Sequence, residues 1–402
     1  MKQDYERSNK KMYNFDATIS RQGTGCRKWD SLDSVFGRKD ILPFWIADMD
    51  FATPPGVVEA LKEKVEHKVF GYHTRDNSFY KAAIDWEMER HGWGIKQEWL
   101  LNTPGVVPSI SFAILALTEP GDQIIVQPPI YPPFFACVTK NGRQLIENPL
   151  INIDGNYVLD FDDLERKMSP KVKMLLLCSP HNPVGRVWTK EELSRLAEIC
   201  LRHNVLIISD EIHADLVYSG HKHIPLSFLG SEVAQSTITF LSPSKTFNIA
   251  GTYTSFAVIP NEIHRRKFAQ LMDALHLDSG NLFGITAAEA AFRTGGPWLD
   301  ELLAYLESNA EFLVNYVKSN IPSISTTVPQ GTYLAWLDFN KSGIHTSELH
   351  HFLIHKAGLG LNAGATFGTQ GTGFARLNFG CRRTLLAEGL FRLETAMKKF
   401  NH

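Results

Sequence analysis

The chain has 402 residues, of which 44% are hydrophobic and 21% are charged. This length and composition exclude a peptide, a fibrous chain and a largely disordered chain, and they predict a globular protein of two or three domains. Lysine and arginine together number 41 and aspartate and glutamate together number 43, and neither sign forms a long block. Nucleic acid is therefore not an expected partner.

The cellular location follows from the N-terminus and from the cysteines. Residues 1–11 are polar and charged, whereas a secretion signal needs an apolar stretch, and no run approaches the roughly 20 apolar residues of a membrane span. The cysteines are odd in number and form no C-x-x-C pair: Cys26, Cys137, Cys178, Cys200 and Cys381. We expect a cytoplasmic protein that keeps its thiols reduced and does not associate with a membrane.

Short apolar runs alternate with helical patterns in the middle of the chain. The runs cover residues 123–127, 173–178, 204–209, 237–241 and 255–259. Continuously apolar runs of this length are typical of strands covered on both faces, which predicts a largely parallel sheet. Thr189 and Glu192 form a capping-box pattern before apolar residues at helical spacing, so we expect a helix over 189–203.

This alternation predicts an α/β fold, with a large domain over residues 52–294 whose mostly parallel central sheet is flanked by helices. The pattern then changes to a long amphipathic helix over 299–320. Shorter strand and helix patterns follow at 331–339, 347–357, 375–379 and from 385. They predict a smaller α+β domain, formed by residues 1–51 and 295–402.

Three predicted strands lead into polar residues. Asn182 follows the run 173–178, Asp210 follows 204–209, and Lys245 follows 237–241. Open α/β sheets bind ligands at the carboxyl ends of their strands. In an arbitrary α/β protein, a partly buried ion pair between Asp210 and Lys245 is the simpler interpretation. Together with Asn182, however, these groups match the needs of pyridoxal phosphate: an amine for the aldehyde, an acid for the pyridine nitrogen and an amide near the ring hydroxyl.

Three further patterns carry less information. The segment 103–109 precedes an apolar helical pattern, so its N–H groups favour a phosphate, although an ordinary helix start has the same pattern. His351 and His355 are one helical turn apart without a third ligand, so we predict no metal site. The glycine-rich stretch 364–373 predicts a flexible loop that leads into Arg376.

Three motifs resemble those of the pyridoxal phosphate-dependent aminotransferase superfamily (class I/II, fold type I): SPHNPVGR at 179–186, SDEIHAD at 209–215 and SPSKTFNIAG at 242–251. More narrowly, the chain resembles the branch of cystathionine β-lyases and related carbon–sulfur lyases, through three further motifs: WIADMDF at 45–51, GYHTRDNSFY at 71–80 and PQGTYLAWLDF at 329–339. The resemblance covers nearly the whole chain. It implies a pyridoxal 5'-phosphate cofactor, an amino acid substrate and a homodimer with active sites at the subunit interface.

The resemblance also implies a role for each matching cofactor residue. Lys245 matches the lysine that forms a Schiff base with the cofactor, Asp210 the partner of the pyridine nitrogen, and Asn182 a ligand of the ring hydroxyl. The other implied contacts are stacking by Tyr131, a ring-oxygen contact at the position of His213, and phosphate contacts from the amides of Val106 and Val107, the hydroxyls of Ser242 and Ser244, and Tyr72 of the neighbouring subunit.

The implied substrate contacts centre on Arg376, which matches the arginine that binds the α-carboxylate, because a bidentate guanidinium suits a planar anion. Asn182, Ala47 and Tyr72 are the other implied substrate contacts. Two departures from the family pattern stand out. Tyr253 occupies a position where many relatives have a cationic phosphate ligand, and Arg382 stands where the branch commonly has proline.

The activity implied by the resemblance is β-elimination from L-cystathionine or a related cysteine S-conjugate, which yields a thiol (homocysteine from cystathionine), pyruvate and ammonia. One alternative is an aminotransferase that passes the amino group to a 2-keto acid, although typical aminotransferases have tyrosine where this chain has His213. Another is a regulatory protein that keeps the lyase fold and binds a partner, although the catalytic residues are intact. The motifs leave the group beyond the sulfur open.

Overall fold

The structure is a computed structural model that describes residues 12–277 and 279–400. The polar segment 1–11, for which we expect no role as a secretion signal, lies outside the described residues. The strands are β1 (Leu42–Pro43), β2 (Leu100–Thr103), β3 (Gln123–Val126), β4 (Gln144–Glu147), β5 (Ile151–Ile153), β6 (Asn156–Val158), β7 (Val172–Cys178), β8 (Leu206–Asp210), β9 (Thr237–Leu241), β10 (Ser255–Val258), β11 (Leu334–Asp338), β12 (Leu359–Gly360), β13 (Asn362–Ala363) and β14 (Phe374–Asn378).

The α-helices are α1 (Arg27–Asp30), α2 (Leu32–Phe36), α3 (Pro55–Glu66), α4 (Asn77–His91), α5 (Val106–Leu117), α6 (Pro133–Thr139), α7 (Phe161–Lys167), α8 (Lys190–Arg202), α9 (Ser231–Gln235), α10 (Pro243–Thr246), α11 (Glu262–Ala274), α12 (Leu282–Thr294), α13 (Gly296–Asn320), α14 (Leu349–His355) and α15 (Arg383–Phe400). Within the described residues, no helix has both the length and the apolar character needed to cross a membrane.

The central sheet has seven strands in the order β2-β10-β9-β8-β7-β3-β4. Only β10 runs against its neighbours, β2 and β9, so the predicted α/β fold with a mostly parallel sheet is confirmed. The apolar run 255–259 did not indicate that its strand would be the antiparallel one. All four residues of β10 are buried, and burial on both faces gives the same apolar run whichever way a strand points.

Helices cover both faces of this sheet because successive side chains of a strand point to opposite sides. On β7, Leu175 and Leu177 pack in the cluster that contains the apolar residues of α8. Met174 and Leu176 pack in the cluster that contains those of α5. Helix α8 begins as the capping box predicts, since the Thr189 hydroxyl and the Glu192 carboxylate each accept from the other's backbone N–H. Because β7, β8 and β9 pair in parallel, their carboxyl ends lie at one edge of the sheet.

A second, three-stranded antiparallel sheet has the order β11-β14-β13. The buried residues of β11 and β14 share a cluster with the long helix α13, which begins at Gly296, near the start expected from the sequence. Strand β1 pairs with β12, so the N-terminal segment lies against the C-terminal one. A small domain formed by both ends of the chain requires this contact. The predicted boundaries of the large domain, at residues 52 and 294, stay a prediction.

The glycine-rich stretch 364–373 leads into the strand of Arg376, and it contains local structure that its composition did not indicate. It forms two 3-10 turns, Gly364–Phe367 and Thr369–Gly371, and buries Gly364, Phe367 and Gly371. A Cβ atom on Gly364 would lie 2.2 Å from the carbonyl oxygen of Gly371. The absence of side chains at Gly364 and Gly371 therefore allows two backbone segments to touch. This contact lies just before β14, the strand that carries Arg376.

We expect the substitution Gly371→Ala to lower stability by about 1–3 kcal/mol, because the new methyl group would lie 2.0 Å from the Gly364 carbonyl oxygen and the backbone would have to move. Gly251→Ala is the matched control, since nothing lies within 4 Å of the added atom. The midpoint of urea unfolding measures both variants. Equal midpoints for the two would contradict this account of the glycine-rich segment.

Candidate active site

A cavity of about 330 Å³ opens at the carboxyl ends of β7, β8 and β9. The predicted site residues that line it are Ala47, Val106, Val107, Tyr131, Asn182, Asp210, His213, Ser242, Ser244 and Lys245. The structure thus brings all the predicted site residues to one cavity except Arg376 and Tyr72. Residues more than 100 positions apart meet here because parallel strands end at the same edge of the sheet.

Arg376 lies on β14 and contacts Asn182, a residue that lines this cavity. Its Nη1 donates to Asn182 Oδ1 at 3.0 Å, and its Nη2 donates at 2.7 Å to both the Trp45 carbonyl and Asn362 Oδ1. The side chain is buried, forms no ion pair with any described residue, and its Nε has no partner there. Burial lowers the pKa of the guanidinium to about 10, which leaves it charged at neutral pH.

An unpaired buried cation is expensive, and a bound anion relieves the cost. Arg376 touches Asn182, a lining residue, so a carboxylate bound in the cavity would lie within reach of the guanidinium. This is the arrangement expected of a residue that binds the α-carboxylate of an amino acid.

Tyr72 stays outside the cavity within one chain. Its side chain is fully exposed, and Val69 and Phe70 beside it are also exposed. Tyr72 lines a different, open cavity together with residues of α3 and α12. A single copy of the chain therefore does not bring Tyr72 to the other site residues.

Lys245 lies on the short helix α10, which Ser242 caps. Its Nζ donates to the Ala47 carbonyl at 2.5 Å, and the Tyr333 hydroxyl donates to the same oxygen at 2.9 Å. Burial lowers the pKa of the Lys245 amine to about 8; the nearby Arg376 charge acts in the same direction, while Asp48 and Asp210 oppose it. A substantial fraction of the amine is then neutral near pH 8, as a nucleophilic lysine requires.

Asp210 and His213 have pKa values shifted in opposite directions. Burial raises the pKa of Asp210 to about 7, and its carboxylate accepts one hydrogen bond, 3.1 Å from the Ile212 N–H. Burial, reinforced by the charges of Lys245 and Arg376, lowers the pKa of His213 to about 3, so its ring is neutral. A cation placed against Asp210 would stabilise its ionised form, and a protonated pyridine nitrogen is such a cation.

Two of the residues predicted to bind the phosphate lie at the start of α5. Val106 and Val107 are the first two residues of the helix, where amides have no intrahelical acceptor. Gly105 precedes them with φ 144°, a backbone conformation that favours glycine. Ser244 and Tyr253 also line this cavity, so the position that carries a cation in many relatives does face the site. Amides without an intrahelical acceptor, together with the hydroxyls of Ser242 and Ser244, fit a phosphate group.

Three residues near the site received no role from the sequence. Asn248 accepts from the Met49 N–H at 3.0 Å and donates to the Met49 and Phe51 carbonyls, which fixes the segment that carries Ala47. Tyr333 lies within the motif at 329–339, as Asn248 lies within that at 242–251. Arg27 lines the cavity too, but no motif contains it.

Nearly the whole chain is similar to a known protein family and to several known proteins. The profile of the family described as aminotransferase class I and II matches residues 39–393. Cystathionine β-lyase PatB of Bacillus subtilis is 45% identical over 385 residues, which are 96% of this chain and 100% of that protein. Cystalysin from Treponema denticola, whose crystal structure contains pyridoxal 5'-phosphate, superposes with a TM-score of 0.93 at 37% identity, over 97% of this chain and 100% of that one.

A further solved structure, the pyridoxal phosphate-bound carbon–sulfur lyase from Staphylococcus hominis, has a TM-score of 0.89 and 31% identity. The match covers 96% of this chain and 98% of that one. All three matches extend over nearly the whole length of both proteins rather than over one segment.

The lowered pKa of Lys245 can be measured in the cofactor-free protein. We expect its reactivity toward limiting acetic anhydride to rise with pH up to about 8 and then level off, because only the neutral amine reacts. An ordinary lysine continues to gain reactivity up to about pH 10.4. Mass spectrometry of the peptide that contains residue 245 measures the modified fraction, with peptides from exposed lysines as internal controls. A Lys245 profile that still rises above pH 9 would contradict the assignment.

Proposed function

The chain belongs to the aminotransferase class I and II family, and on this basis we propose that it is a pyridoxal phosphate-dependent carbon–sulfur β-lyase. Its substrate is L-cystathionine or a related cysteine S-conjugate, and its products are a thiol, pyruvate and ammonia. The observation that carries the proposal is a cavity lined by Lys245 and Asp210, whose lining residue Asn182 contacts the guanidinium of Arg376, which forms no ion pair with any described residue. The full-length similarity to carbon–sulfur lyases favours elimination over transamination.

Substrate binding begins with Arg376. Its guanidinium binds the α-carboxylate and, with Asn182, holds the amino acid in one orientation. The carbonyl of Ala47, which accepts from Lys245 and Tyr333, keeps the lysine amine close to the bound Cα. Neutral His213 adds no competing charge next to these cations.

Bond breaking then depends on Lys245 and Asp210. When bound, pyridoxal phosphate supplies an aldehyde that captures the substrate amino group and a ring that accepts electrons from Cα. The Lys245 amine removes the Cα proton, and the Asp210 carboxylate holds a proton at the pyridine nitrogen so that the ring stays electron-poor. The C–S bond breaks with both electrons on sulfur, and the thiolate leaves. The 2-aminoacrylate that is released hydrolyses to pyruvate and ammonia, so no keto acid and no oxidant is needed.

The proposed assembly is a homodimer. The exposed side chains of Val69, Phe70 and Tyr72 form an apolar surface that a second copy would cover, and Tyr72 would then reach the partner's phosphate cradle. We also propose a cytoplasmic location. All five cysteines lie within the described residues and are free thiols, which suits a reducing compartment.

The proposal predicts that the purified, cofactor-loaded protein converts L-cystathionine to pyruvate and free thiol in equal amounts with no keto acid added. Coupled assays for pyruvate and thiol follow the two products together. We expect Lys245→Ala to lower the rate by at least about a thousandfold, because the general base is lost. Lys222→Ala, which changes an exposed lysine, is the control and should keep full activity. Dependence on an added keto acid without thiol release would instead establish an aminotransferase.

A further inference from the structure

Arg27 is a cavity-lining cation that the proposed mechanism does not use. It is the first residue of α1 and lines the cavity together with Ala47 and Tyr131. Its side chain is exposed, and it forms no hydrogen bond or ion pair with any described residue. A cation at a cavity wall that has no partner in the chain is free to bind an anionic group of a ligand.

The backbone that carries Arg27 is held firmly. The next residue, Lys28, is fully buried, and its Nζ pairs with Asp50 Oδ2 at 2.9 Å. Trp29 Nε1 donates to Asp50 Oδ1 at 3.2 Å, and Trp45 Nε1 donates to the Lys28 carbonyl at 3.0 Å. Because contacts with Asp50 and Trp45 hold α1 in place, the fold fixes the position of the Arg27 backbone at the cavity wall.

Charge around the cavity is unbalanced toward the positive. Among the described residues, Asp210 is the only acid in the lining, and it lies at the end of β8, where the cofactor nitrogen would be bound. Burial raises the pKa of the Tyr131 phenol, and the positive charges of Arg376 and Arg27 both oppose that shift. Tyr131 is therefore within electrostatic reach of two separate cations, of which only Arg376 is needed for an α-carboxylate.

We propose that Arg27 binds a carboxylate carried by the leaving group, beyond the sulfur. The preferred substrates are then cysteine S-conjugates with two carboxylates, one held by Arg376 and one by Arg27. This inference rests on the proposed function and defines the substrate class of the same site. Because Arg27 is exposed and lines the cavity, we expect it to bind the distal part of the substrate rather than the reacting carbon.

The test uses two substrates that differ only in that carboxylate. S-(2-carboxyethyl)-L-cysteine and S-propyl-L-cysteine have leaving groups of similar size, and only the first leaving group is anionic. We expect Arg27→Ala to lower kcat/KM for the carboxyethyl substrate by about tenfold, because one charge-assisted hydrogen bond is lost. For the propyl substrate, we expect kcat/KM to change by less than about twofold. Arg266→Ala, at an exposed arginine on α11, is the matched control and should change neither.

Two outcomes would overturn the inference. If Arg27→Ala lowers kcat/KM equally for both substrates, Arg27 acts on the cofactor or on the fold. A higher dissociation constant for pyridoxal phosphate in this variant would then identify Arg27 as a phosphate ligand. Unchanged kinetics with both substrates would show that Arg27 binds neither. Raising the salt concentration should weaken the preference for the carboxyethyl substrate in the unmodified enzyme, because an exposed arginine is screened.

A binding measurement separates this inference from the proposed function. Calorimetry with the cofactor-loaded Lys245→Ala protein gives dissociation constants for both substrates without turnover. The preference for the carboxyethyl substrate should be about tenfold and should disappear when Arg27→Ala is added. If the unmodified enzyme releases no thiol from either substrate, the proposed function fails, while the calorimetric preference still decides the role of Arg27.

Discussion

A buried guanidinium without an acid beside it is the constraint on which the site depends. Removing an ion from water costs several kcal/mol, and Arg376 has only neutral oxygen acceptors among the described residues. Those acceptors come from three distant parts of the chain, at Trp45, Asn182 and Asn362. The fold therefore brings these segments together around a charge that only a bound anion balances. Stability is given up here for binding, as is common at functional sites.

The second organising contact is the carbonyl of Ala47. It accepts from Lys245, at the end of the large sheet, and from Tyr333, which precedes β11 in the small sheet. Asn248 fixes the same segment through the Met49 and Phe51 backbones. The cavity thus lies where the two sheets and the N-terminal segment meet, and no single segment could build it alone.

Much of this arrangement was predictable from local patterns. Asn182, Asp210 and Lys245 follow apolar runs, and parallel strands must bring such ends to one edge. The direction of β10 was not predictable, because burial on both faces conceals it. The close contact of Gly364 with Gly371 depends on two backbone segments meeting in space, which glycine composition alone does not reveal. Arg27 had no motif around it, since its significance comes from the clamped helix and the unbalanced charge of the cavity.

The role of Arg376 is tested most directly by comparing an amino acid with its carboxamide. Calorimetry of S-propyl-L-cysteine and S-propyl-L-cysteinamide with the cofactor-loaded Lys245→Ala protein measures the contribution of the α-carboxylate to binding. We expect the carboxylate to bind at least about tenfold more tightly than the carboxamide, and we expect Arg376→Gln to remove this difference. If the preference survives in Arg376→Gln, another residue binds the carboxylate and the account is wrong.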